Sequence, residues 1–217
     1  NPSVPISEQS STQRGSTMNK KILSTLAIAL TVLVGCTSDG TSTEASSSVF
    51  VGAWLKNNCE ALGSVGGKTV YGNQVTMSIA ASVVYNVSRA WVDDSSCTAD
   101  QEAWVETMIF SYVTSASDLG SDIYNFDSTL AGGTWEIKTA DGATVLNGAS
   151  QCGQTDWTSG QTYEQESRGC FDSMPIGTVF YSIGQVSGTT LTFADSPSTS
   201  ESTRPTALGT DEVFQKQ

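Results

Sequence analysis

The sequence predicts an all-β domain, a single antiparallel up-and-down barrel of about eight to nine strands. Three observations predict it. Apolar and polar residues alternate with period two through most of the chain after residue 49, as they do in strands with one face on a core. Short turn signals join consecutive runs, which favours a meander. No long amphipathic helical stretch is present. A meander of this length removes its edges by closing into a barrel or folding into a sandwich.

The strands are justified in order. Residues 50–56 open the domain. Val75, Met77 and Ile79 then alternate with Thr76 and Ser78. Val83, Tyr85, Val87 and Trp91 alternate with Asn86, Ser88 and Ala90, and Arg89 interrupts that apolar face. Trp104, Met108, Phe110 and Tyr112 alternate with Thr107 and Ser111. Residues 122–127 and 134–138 are two shorter candidates. Residues 140–149 suit a short helix, although Asp141-Gly142 and Asn147-Gly148 are also turn signals. Val179, Tyr181 and Ile183, then Leu191 and Phe193, flank Ser187-Gly188, a hairpin turn. Residues 212–215 close the series.

The domain occupies residues 49–217, enough chain to bury a substantial core. What precedes it has another character. Residues 1–17 are polar without an apolar period and read as a non-native extension. Residues 18–35 begin at Met18 with Asn19-Lys20-Lys21, continue through an apolar run over 22–34, and end in Leu33-Val34-Gly35 before Cys36. That run is too short for a span of ~20 residues and fits a secretory signal. The order of basic, apolar and L-V-G-C parts resembles the bacterial lipoprotein signal, the lipobox. The resemblance implies cleavage before Cys36, acylation of Cys36 and a lipid bilayer as its partner. Several acyl chains on one residue anchor durably where a single chain does not. Thr37, rather than Asp, follows the cysteine, which by the same resemblance implies the outer membrane. Residues 36–48, rich in Ser, Thr and Gly, form a flexible tether.

Composition excludes several activities. The 217 residues hold 10 Lys+Arg, 22 Asp+Glu and no His, a net charge of −12. Without His there is no Ser–His–Asp or Cys–His pair and no HExxH zinc site. Without a basic cluster, nucleic acid is not an expected partner. Besides Cys36 there remain Cys59, Cys97, Cys152 and Cys170, an even number that reads as two disulfides in an exported domain. Three pairings are possible. Cys59–Cys97 and Cys152–Cys170 are favoured because each closes a moderate loop. A four-thiolate metal site competes with them, but it would lack any CxxC pair.

Val51-Gly52-Ala53-Trp54 opens the first strand. This G-x-W placement resembles the start of lipocalins and related calycin barrels. Cys59, the Asp93 to Cys97 turn (D-D-S-S-C), the Cys152 to Trp157 stretch and the late Arg204-Pro205-Thr206 are similar to those of bacterial lipoproteins with lipocalin-like domains. The resemblance implies that Trp54 plugs the closed barrel end with Arg204 packed over it. Trp54 is equally readable as an ordinary core aromatic.

Chemistry-bearing groups are sparse. The local carboxylate pairs are Asp93-Asp94, Glu102 with Glu106, and Glu164 with Glu166. Adjacent acids on a strand face opposite sides, so Asp93-Asp94 reads as a turn. Glu106 shares the predicted inward face of Trp104 and Met108; it reads either as a buried acid with a raised pKa or, as such residues more often are, as a group at the barrel mouth or paired with an Arg such as Arg89. No enzymatic activity, cofactor or metal is expected. The expected function is binding a small hydrophobic ligand, with Tyr85, Trp91, Trp104, Met108, Phe110 and Tyr112 as the lining. The alternative is a filled barrel acting as a structural or partner-binding envelope protein.

Overall fold

The structure, a computed structural model, describes residues 49–120 and 122–217. The expected signal and tether, with Cys36, lie outside the described residues. The described chain forms β1 (Gly52–Val65), β2 (Lys68–Ile79), β3 (Val83–Val92), β4 (Trp104–Ala116) and β5 (Ile123–Ile137). The helix α1 (Ala140–Gly148) comes next, then β6 (Gln161–Glu164), β7 (Val179–Ser187), β8 (Thr190–Phe193) and β9 (Val213–Lys216). Every pairing is antiparallel. Neighbours pair in order from β1 to β5; β5 then pairs with β7, β7 with β8, β8 with β9, and β9 with β1. Eight strands therefore close a ring, and β6 attaches to β5 outside it.

Local chemistry accounts for the elements. The β1–β2 hairpin turns at Gly66 and Gly67, both at positive φ, which a two-residue turn between twisted strands needs. That turn carries β1 past residue 56. Residues 57–64 are exposed, so no period announced them as strand. The two short runs expected at 122–127 and 134–138 are one strand. Leu130 pairs with Phe110 and Gly132 with Ile109, so Ala131 is accommodated as a bulge. The helix starts where the Thr139 side chain accepts a hydrogen bond from the Gly142 amide at 3.0 Å. It buries Ala143, Val145 and Leu146.

Two apolar clusters fill opposite ends of the barrel. Phe50, Trp54, Ile79, Tyr112, Phe126, Leu191 and Phe214 gather at one end. Val70, Ala90, Trp104, Trp135, Ile137 and Trp157 gather at the other, covered by α1. Full burial of one such side chain contributes roughly 1.5–3 kcal/mol, so the two ends hold the barrel together. The disulfides Cys59–Cys97 and Cys152–Cys170 are formed. The first ties β1 to the turn after β3. The second spans the excursion that contains β6.

The register leaves the wall uneven. β9 pairs with β1 only at Trp54 and Leu55, and β7 pairs with β5 only as far as Thr129. Beyond those points β5 takes β6 as its neighbour. Among the described residues, the second half of β1 has β2 on one side and no strand on the other. The barrel is thus closed at the Trp54 end and split on one side toward the other.

Candidate functional site

Against the Trp54-end cluster the barrel keeps a cavity of about 380 Å³. Strand alternation builds its wall. On β4, Trp104, Glu106, Met108, Phe110 and Tyr112 share the inward face, and Met108 and Phe110 reach the cavity. Opposite them on β3 stand Asn86 and Val84. Met77 from β2, Phe126 from β5, Phe180 from β7 and Phe193 from β8 complete an apolar surface, and Met174 closes it from the segment before β7. Asn86, Ser128 and Ser182 are its polar points. The Asn86 Oδ1 is buried without a hydrogen-bond partner, an unmet requirement worth roughly 1–3 kcal/mol.

Charged groups sit where the short strands end. Asp195 follows β8 and Glu212 precedes β9, and both line the cavity. Lys56 comes one residue after the last β1–β9 pair. Its side chain is buried, with Nζ 3.0 Å from Glu212 Oε1. Asp195 accepts hydrogen bonds from the amides of Asp211 (2.9 Å), Thr210 (3.2 Å) and Glu212 (3.2 Å). Those bonds, with Lys56 nearby, hold its carboxyl below the usual range. A Cβ at residue 209 would stand 2.0 Å from Asp195 Oδ1. Gly209 therefore lets the two segments close on each other.

Deeper in the barrel, Glu106 pairs across with Trp135 and Ser88. It accepts a hydrogen bond from Gln165 Nε2 at 3.1 Å. Burial pushes its carboxyl pKa up, partly offset by the bond from Gln165. Arg89 is elsewhere, 3.8 Å from Glu102 and donating to Thr76. Asp94 serves a turn, accepting from the amides of Ser96 and Thr98. Among the described residues, no carboxylate pair converges on the cavity without partners already in place.

The sequence-derived lining divides. Met108 and Phe110 line the cavity. Tyr112 belongs to the Trp54-end core; its hydroxyl donates to Ala80 O at 2.8 Å and its ring stacks on Phe126 at 4.9 Å. Trp104 packs at the far end, stacked on Trp135 at 6.0 Å. Tyr85 and Trp91 correct the expectation. On β3 the inward face is Val84, Asn86, Ser88 and Ala90, one residue out of step with the apolar period. Tyr85 is 43% exposed on the outer face. Trp91 is fully buried there, because the 93–103 loop covers it and its Nε1 donates to Thr98 O at 2.7 Å. A single-residue change of phase turns every side chain to the other face.

The Trp54–Arg204 contact is also corrected. Trp54 is fully buried and donates from Nε1 to Phe50 O at 2.9 Å. The cation over its ring is Lys216 Nζ, 5.5 Å from the centroid. Arg204 lies outside the barrel, ion-paired with Asp127 and over the Tyr181 ring at 5.2 Å. The chain end, through β9, reaches Trp54 instead.

Several lining groups had no sequence signal. Met174 and Asp195 sit in loops, where periodicity is silent. Asn86 offered one in retrospect, as a polar residue in phase with Val84 and Ala90. Comparison with known protein families finds no match. Comparison with curated proteins finds no similar sequence.

Proposed function

We propose that this protein is a non-enzymatic carrier or binder of a small hydrophobic ligand, held on the outer membrane of a bacterial envelope through acylated Cys36. The observation that carries the binding reading is the cavity: about 380 Å³ within the barrel, open to solvent on one side, walled by three methionines and four phenylalanines. Such a volume falls within the range of small-molecule sites. Methionine side chains adapt their shape to irregular apolar guests. Anchoring rests on the L-V-G-C sequence at Cys36.

A second reading draws on the outer surface. Ser111, Val113, Asp127, Thr129, Val179 and Tyr181 form an outer groove across β4, β5 and β7, with Val113 67% exposed. That groove suits a protein partner.

Native mass spectrometry on gently isolated protein separates the two. A reproducible added mass, lost in Met108→Trp while the circular dichroism stays native, is the expected result. A bare mass with no uptake of apolar probes turns the reading to the outer groove.

A further inference from the structure

The charges that line the cavity are all of one sign, and the inference drawn from them rests on the carrier reading above. Its charged lining consists of two acids, Asp195 and Glu212. The nearby cation, Lys56, is not free to receive an anion. Its side chain is only 7% exposed, and its Nζ is committed to Glu212 at 3.0 Å. Asp195 is exposed, and three backbone amides hold its carboxylate in place. Two carboxylates against one ammonium leave a net negative rim around an apolar chamber. An anionic head there would meet Asp195 with no available donor of positive charge. A cationic head would meet a fixed carboxylate beside the split in the wall, where β8 and β9 are short and the head keeps contact with water. Opposite charges within about 4–6 Å favour each other strongly enough to select between ligands.

We infer that the ligand is a single-chain amphiphile with a cationic head, its apolar tail among Met77, Met108, Phe110 and Phe180 and its head at Asp195 and Glu212. A fatty-acid-like carboxylate is the disfavoured counterpart.

The test titrates the full-length oxidised protein by calorimetry with three twelve-carbon probes below their micelle concentrations: dodecyltrimethylammonium, dodecanol and dodecanoate. One-to-one binding is expected, with the ammonium at least tenfold tighter than the carboxylate and the gap narrowing as salt rises. Glu212→Gln frees Lys56, so ammonium affinity falls and dodecanoate affinity rises. Glu164→Gln removes the same charge from exposed β6 and leaves both affinities unchanged, which separates the rim from the protein's overall acidity. Equal binding of ammonium and carboxylate, or equal effects of the two substitutions, overturns the charge preference and leaves the hydrophobic carrier standing. Failure of all three probes to bind overturns the carrier as well. The wild-type comparison decides even where Glu212→Gln does not fold.

Discussion

Glu106 shows how one buried side chain couples to the whole fold. Its carboxyl faces Trp135 and Gln165 inside the barrel, and burial raises its pKa. A carboxyl raised in the folded state binds its proton more tightly there than in the unfolded chain. Folding stability is therefore greatest, as far as this group is concerned, below the unfolded pKa, and it declines as pH rises through the folded one. Glu106→Gln removes that dependence while keeping an oxygen to accept from Gln165. The variant should match the wild type near pH 4 and exceed it in stability at pH 7. The difference should grow by at most about 1.4 kcal/mol per pH unit across the window. Urea unfolding at several pH values measures it; a variant less stable at pH 7 than at pH 4, relative to wild type, would contradict the assignment. The sequence placed Glu106 on the inward face of its strand and left burial open beside a place at the barrel mouth or a pairing with Arg89. It offered no sign of Gln165, which arrives from a segment 59 residues away.

At the scale of elements, the two disulfides hold what the sheet does not. Cys59 lies in the half of β1 that lacks a partner strand on one side, and its bond to Cys97 pins the loop that covers Trp91. Cys152–Cys170 restrains the excursion through β6, where Arg168 sits 4.6 Å from the Trp157 ring centroid and 4.3 Å from that of Tyr163. The bridges span 38 and 18 residues. Loop-closure entropy then gives ~4 kcal/mol for the first and ~3 kcal/mol for the second. Replacing each pair by alanines should lower the denaturation free energy by those amounts. Loss of the first should also expose Trp91, seen as a red shift of fluorescence. An unshifted spectrum would mean that the loop stays in place without its bridge. The favoured pairing was legible because each bridge closes a moderate loop between neighbouring regions of the meander. The phase of β3 was not, because Tyr85 and Trp91 look like core residues until the loop that buries Trp91 is in place.

For the molecule as a whole, the uneven wall sets the pattern of stability. The Trp54 end is a complete eight-stranded ring around a packed core. Toward the other end, β1 continues with one neighbour only. Amide exchange should therefore be slow at residues 75–79 and in β8. It should be fast at the amides of residues 57–64 that point away from β2, and slower near Lys56 and Glu212 once a ligand occupies the cavity. Uniform protection along β1 would argue against the split.

An all-β meander, its disulfide framework, most of its strands and the inward face of β4 can all be read from the chain alone, because period-two alternation, turn residues and cysteine spacing are local properties. Closure of β9 onto β1, the join across Ala131, the outward turn of Tyr85 and Trp91, the lysine over Trp54 and the acidic rim of the cavity come from tertiary structure. Each depends on segments distant in sequence meeting in space, and burial by a distant loop can make an outward face as apolar as an inward one.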